Sequence, residues 1–239
     1  MYKALAYALI AALGNVLGAL AVTRRAVLEL KVIEHFVAFG AGFMLSVAVV
    51  ELLPEAFARS GAIAPALVLG GYLAVHFTQH TLTPHFHFGE ETHTISPVAG
   101  TSALVGLLLH TFFDGVAIAS AFLVRQDLGL MVFVAIFLHK LPEGVTISSI
   151  MMAGGQTGGR AIAAAALLGV ATLFGVVLTD YAAFLTQHGL ALAAGVTIYV
   201  AASNLVPEFQ GKRGWQLPAS FFAGALAFFL TKLALESAL

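Results

Sequence analysis

Eight apolar runs, each close to the length that crosses a bilayer, occupy most of this chain. They cover residues 2–22, 32–57, 63–82, 97–124, 128–153, 161–185, 190–207 and 217–235. The joints between them carry loop chemistry: Arg24-Arg25, Arg59-Ser60-Gly61, Arg125-Gln126-Asp127, residues 154–160, Gln187-His188-Gly189 and residues 211–214. Composition agrees. Of 239 residues, 60% are hydrophobic and 10% charged, against about 45–50% and about 25% in a soluble domain. That surplus excludes a cytosolic enzyme and a disordered chain, and a net charge of −1 offers no basic surface to nucleic acid. The expectation is an all-α polytopic membrane protein with eight transmembrane helices, one transmembrane domain over residues 1–239. Its longest loop is the His-containing segment 83–96.

Orientation follows from basic residues. Arg24, Arg25, Lys31, Arg160, Lys212 and Arg213 lie on one side; Lys3, Arg59, Arg125 and Lys232 lie on the other. The bias places both termini outside and the 83–96 loop in the cytoplasm. The first run is too long for a signal-peptide core, so it is expected to stay as a span.

Two self-similarities organise the chain. Gly42, Leu52, Pro54 and Glu55 in span two recur without a gap as Gly195, Leu205, Pro207 and Glu208 in span seven. Five spans separate them, so they cross in opposite directions, as in an inverted repeat. Proline ending two helices is the plainer account. The second similarity is sharper. His110-Thr-Phe-Phe-Asp114-Gly115 in span four matches His139-Lys-Leu-Pro-Glu143-Gly144 in span five.

Residues at i and i+4 share a helix face. Each motif therefore presents one imidazole and one carboxylate on one stripe near mid-membrane. An ionisable group at that depth costs at least about 2.5–3.5 kcal/mol. His110, Asp114, His139 and Glu143 together make a four-ligand site for a divalent transition metal. The chain has no cysteine, so no thiolate contributes, which suits transit better than storage. Structural hydrogen bonding between helices is the plainer alternative. Lys140 points about 100° from His139 around the helix and can reach Glu143. It reduces the charge of the empty site and occupies the place of a second ion. Gly115 and Gly144 permit close helix approach. Pro142 frees a carbonyl beside His139.

These motifs, with Glu51-Leu-Leu-Pro-Glu55, resemble the ZIP (zinc-regulated, iron-regulated transporter-like) family over essentially the whole chain. The resemblance implies divalent metal transport into the cytoplasm, a 3+2+3 helix arrangement, and a transport site at His110, Asp114, His139 and Glu143. Bacterial members have Asn after the first His, and Asn or Asp after the second, where this chain has Thr111 and Lys140. One ion is therefore expected rather than two. Phe113 stands where some members have Pro.

Other polar residues outline a route. Glu51, Glu55 and Asp180 lie towards the outer ends of their spans, Ser102 two turns before His110. His76 and His80, then His85, His87, Glu90, Glu91 and His93, lie towards the inside, with Asn204 and Glu208 at the inner end of span seven. Helix-end solvation, small-residue packing and a solvated polar loop are the plain accounts of these.

The function expected is import of a divalent ion, most simply Zn²⁺, with Cd²⁺, Fe²⁺ and Mn²⁺ as other candidates, across a plasma (inner) membrane. No resident cofactor, enzyme activity or nucleic-acid partner is expected; the ion, the bilayer and a second copy of the chain are the expected partners. The rival is an intramembrane zinc hydrolase with Glu143 as base and Lys140 as acid. A proton-coupled carrier of organic solutes and a gated channel complete the alternatives.

Overall fold

Prolines at 54 and 207 are where a helix would ordinarily end, yet the chain stays helical through both. The computed structural model describes residues 2–24, 30–82 and 97–238. Helix α1 covers Tyr2–Thr23, α2 Leu30–Ser46, α3 Leu53–Ser60, α4 Ala64–Leu82 and α5 Pro97–Val124. Then follow α6 Gln126–Ala153, α7 Gly158–Tyr181, α8 Ala183–Ile198, α9 Pro207–Gln210 and α10 Gln216–Ala238. A π turn, Val47–Leu52, joins α2 to α3, and another, Tyr199–Leu205, leads from α8 to α9. Proline lacks an N–H and its ring crowds the carbonyl one turn back. The wider turn absorbs the misfit: Leu53 N–H reaches Ala48 O, and Val206 N–H reaches Ala201 O. These bonds fall at matched positions of the two similar segments.

There are no strands among the described residues, and seven helical stretches are long and apolar enough to cross a membrane. One, Lys31–His80, is 50 residues long. It contains the 3-10 turn Gly61–Ile63, where Gly61 has φ 57°, a left-handed conformation that glycine adopts freely. The chain is an integral membrane protein by these spans. Its core draws on Phe43, Met44, Ile118, Met131, Ile136, Tyr199 and Phe228, whereas α10 exposes Phe222, Leu226, Phe229 and Leu233.

The helix ends sort onto two faces. Helix α6 runs from one to the other. At its start, Lys3 Nζ donates to Gln126 Oε1 at 2.8 Å, and Lys232 of α10 approaches Glu51. Both ends of the described chain are therefore on this Arg125 face. At the opposite, Gly154 face, the start of α7 lies beside Thr23.

The packing repeats itself. Helix α1 packs on α6 as α7 packs on α5, and α10 packs on α2 as α4 packs on α8. A Cβ at Gly42 would strike the carbonyl of Phe221, and one at Gly195 the carbonyl of Val68. Gly224 meets Phe39 and Gly71 meets Leu192 in the same way. Each residue of one pair is offset from its counterpart by the spacing that relates Gly42 to Gly195. Around the centre, Gly144 faces Asn15 and Gly18 faces Leu141, while Gly115 faces Thr172 and Gly175 faces Phe112. The glycines after each acid are thus close-approach positions of matched halves.

One joint departs from the sequence reading, which carries the sixth run to residue 185 and puts a joint at Gln187-His188-Gly189. Instead α7 ends at Tyr181, Ala182 is extended (φ −98°, ψ 104°), and residues 187–189 are inside α8. Local polar bonds decide this. Thr186 Oγ1 donates to Thr179 O at 2.7 Å, satisfying an orphan carbonyl of α7, and His188 Nδ1 pairs with Ser60 Oγ at 3.0 Å. The described joints at Arg59-Ser60-Gly61, Arg125, residues 154–157 and residues 211–214 lie where loop chemistry puts them, with Gly155 (φ 79°) and Gly214 (φ 113°) at two of them; the joint from Arg25 onward lies outside the described residues.

Candidate metal centre

His110 and Asp114 sit mid-way along α5, His139 and Glu143 mid-way along α6, and all four are buried. Glycines 115 and 144 draw α7 and α1 against these helices, closing the site on two more sides. His110 Nε2 is 3.4 Å from His139 Nε2 and 3.4 Å from Asp114 Oδ2. His139 Nε2 is 3.3 Å from the same oxygen. Three donor atoms therefore form a nearly equilateral triangle. One face of a zinc tetrahedron with bonds of about 2.1 Å has edges of about 3.4 Å. One ligand atom from each of the four residues fits within 4.8 Å of the rest, so small side-chain movements complete the set.

Imidazole orientation is supported on one side. His139 Nδ1 lies 3.2 Å from the Ala135 carbonyl, to which an N–H at Nδ1 donates, leaving Nε2 free to ligate. Among the described residues, His110 Nδ1 has no hydrogen-bond partner.

Lys140 is fully buried and bridges the acids: Nζ is 2.7 Å from Asp114 Oδ2 and 2.8 Å from Glu143 Oε2. The ammonium thus contacts the same Asp114 oxygen that faces both imidazoles. Thr111, its counterpart in α5, is buried and donates to Leu108 O at 3.1 Å.

Taken alone, this is a buried cluster of nitrogen and oxygen donors that could hold a metal ion, with a built-in cation. A family model described as ZIP zinc transporter matches residues 89–232, more than half of the chain. The chain belongs to the ZIP family. Its ZIP relatives include the zinc transporter GufA of Myxococcus xanthus, 32% identical over 187 residues, which are 71% of this chain and 70% of that protein. Human zinc transporter ZIP6 is 33% identical over 136 residues, 52% of this chain but 18% of ZIP6. The chain therefore spans under a fifth of that relative's length. Xenopus laevis zinc transporter ZIP9-B is 29% identical over 162 residues, 62% of this chain and 53% of that protein. These ZIP relatives are named as transporters, not enzymes, so the hydrolase alternative gains no support from them.

The remaining expected residues fall at the two faces of this ZIP fold. Glu51 is on the first π turn, buried, and ion-paired with Arg125 and with Lys232 Nζ at 2.6 Å. Glu55 Oε2 is 3.8 Å from Arg125. Arg125 itself lies outside the spans. Its hydrogen bond to Asp127, with Glu51 adding to the effect, raises the pKa of the guanidinium above its ordinary value. Asp180 is half-buried in the last turn of α7. His76 and His80 stack with ring centroids 4.0 Å apart on exposed residues of α4, beside Tyr72 and Tyr199. Tyr199 Oη is 3.3 Å from His80 Nδ1. Glu208 shares a small cleft with Glu34, Phe209 and Lys212 at the Gly154 face. The Ser102 side chain and the 83–96 loop, with its three histidines, lie outside the described residues.

Sequence reasoning missed Asn15. It is fully buried in α1, its amide nitrogen and oxygen have no hydrogen-bond partner among the described residues, and its backbone touches Gly144 beside Glu143. The sequence does carry a signal for it, since a lone Asn within an apolar run is a costly polar group in a membrane. The partnership of Glu51 with Lys232 has no local signal, since 181 positions separate them.

Proposed function

We propose that this ZIP chain imports a divalent ion, most simply Zn²⁺, holding one ion at a time on His110, Asp114, His139 and Glu143. The observation that carries the reading is the donor triangle of 3.3–3.4 Å edges between α5 and α6. Its spacing suits a tetrahedral ion of zinc's size. Cd²⁺, Fe²⁺ and Mn²⁺ are candidates on the same ligands.

Counting Lys31–His80 as two crossings, hinged at Gly61, gives eight spans. An even number agrees with both described ends lying on the Arg125 face. The matched glycine contacts support an inverted repeat, with α5 and α6 as the central pair of a 3+2+3 arrangement. The Arg125 face is read as outside and the Gly154 face as cytoplasmic, which puts both termini outside a plasma (inner) membrane. The ion's route runs past Glu51 and Asp180, through the four ligands, and out past the position of Ser102, His76, His80 and Glu208. The partners are the ion, the bilayer and a second copy of the chain, for which α10 offers an apolar face.

Lys140 sets the number of ions. Its ammonium takes the position between Asp114 and Glu143 that a second cation would need. When one ion binds, Lys140 must release the Asp114 oxygen that the ion shares with both imidazoles.

Radiometal uptake into proteoliposomes tests this. The wild-type chain takes up ⁶⁵Zn²⁺ or ¹⁰⁹Cd²⁺, and His139→Ala or Glu143→Ala abolishes uptake. Absence of uptake in the wild type, with metal-dependent ester or amide hydrolysis instead, would overturn the reading.

A further inference from the structure

Glu51 is 4% exposed and meets cations from two other elements. Arg125, in the joint between α5 and α6, donates from Nη2 to Glu51 Oε2. Lys232 of α10 reaches Glu51 Oε1 at 2.6 Å and Glu236 at 3.9 Å. Arg125 also contacts Asp127 at 2.8 Å and Glu55 at 3.8 Å. One buried carboxylate thus ties together the first π turn, the hairpin that carries both His-acid motifs, and α10. All three contacts lie at the Arg125 face. Pulling any of these elements away strands a buried charge, which strongly opposes separation.

The internal repeat supplies a built-in comparison. The register that relates Gly42 to Gly195 and Gly71 to Gly224 also relates Glu51 to Asn204 and Gln79 to Lys232. The counterpart of a charged pair at one face is therefore Asn and Gln at the other. These side chains can hydrogen-bond but carry no charge. The Gly154 face does have an ion pair, Lys212 to Glu34 at 2.7 Å. It is more exposed, and it joins α2 to the joint after α9 without involving α5 or α6.

We propose that Glu51, Arg125 and Lys232 form an ionic latch that holds the Arg125 face shut over the candidate site. The neutral counterparts Asn204 and Gln79 leave the Gly154 face the easier one to open. The proposal rests on the import proposed above, taken as carriage in which the site opens to each face in turn. It assigns the asymmetry between the two faces to this one ionic cluster on a nearly symmetric frame.

The chain has no cysteine, so single reporters can be introduced cleanly. Ala135 is 1% exposed and lies one turn from His139 towards Arg125; Ala117 is 1% exposed and lies three residues from Asp114 towards Val124. Ala135→Cys and Ala117→Cys chains are reconstituted and treated with a membrane-impermeant thiol reagent from either face. With Glu51 intact, labelling from the Arg125 face is slow. Adding Glu51→Gln raises that rate several-fold and leaves the rate from the Gly154 face unchanged or lower. Lys232→Met, a second variant should Glu51→Gln not fold, moves the rates in the same direction. Adding Asn204→Glu with Gln79→Lys slows labelling from the Gly154 face. Unchanged labelling from the Arg125 face, or equal acceleration from both faces, overturns the latch. Labelling needs no transport, so the two readings fail separately. Latch-dependent labelling without radiometal uptake keeps the latch and overturns import; uptake with unchanged labelling does the reverse.

Discussion

Lys140 carries the most consequential contacts of any single side chain here. It is buried without exposure, and its two partners are both proposed ligands. Removing one member of a buried charge set costs about 3–5 kcal/mol. Lys140→Met is therefore expected to lower the melting temperature of the metal-free protein in detergent. Zn²⁺ should raise the melting temperature of that variant more than it raises the wild type's, because no ammonium competes for Asp114. A smaller zinc-induced rise in Lys140→Met would contradict the competition. The same geometry limits stoichiometry: elemental analysis of the purified wild-type protein should find one ion per chain at this site, and two would remove the role given to Lys140. At this scale the sequence is highly legible. The His-acid spacing puts four donor side chains on two facing stripes, and the i+3 step puts Lys140 near Glu143. Its contact with Asp114 crosses between helices, so spacing within one helix could not reveal it.

At the scale of elements, close approach between helices decides where the proposed ligands stand. A Cβ at Gly144 would meet the backbone of Asn15, whereas Gly211 has open space around it and an ordinary helical backbone (φ −81°). Gly144→Ala is expected to destabilise by about 1–3 kcal/mol through overpacking, and Gly211→Ala to change little. Thermal melting of the two variants side by side checks this, and equal shifts would refute it. Span boundaries with polar joints are readable, as at residues 97–124, where run and helix coincide. The break at Ala182 is not, because an alanine carries no turn signal. It depends on Thr186 reaching back to Thr179, a bond made only once the turn exists. The π turns are equally silent. Leu-x-Pro-Glu reads as a helix stop, and only packing on both sides of Pro54 and Pro207 keeps the helix running.

At the scale of the molecule, the matched halves set the sidedness. Both described ends lie on the Arg125 face, which is read as outside. Alkaline phosphatase fused after residue 239 should therefore be active in a bacterial host, and the same enzyme inserted within residues 154–157 inactive. The reverse pattern would invert the proposed direction.

Hydrophobicity and motif spacing by themselves determined the class of this protein. Apolar runs have one stable destination, and mid-membrane imidazoles and carboxylates need a partner whatever surrounds them. The inverted similarity of spans two and seven was also visible in one dimension. Only the tertiary structure decided which distant charges meet. Glu51 found Lys232 and Arg125, Lys140 found Asp114, and Asn15 was brought beside Gly144. Such pairings depend on how closely helices pack and on their rotation about their own axes. Both arise from glycine contacts summed over many residues rather than from any local stretch.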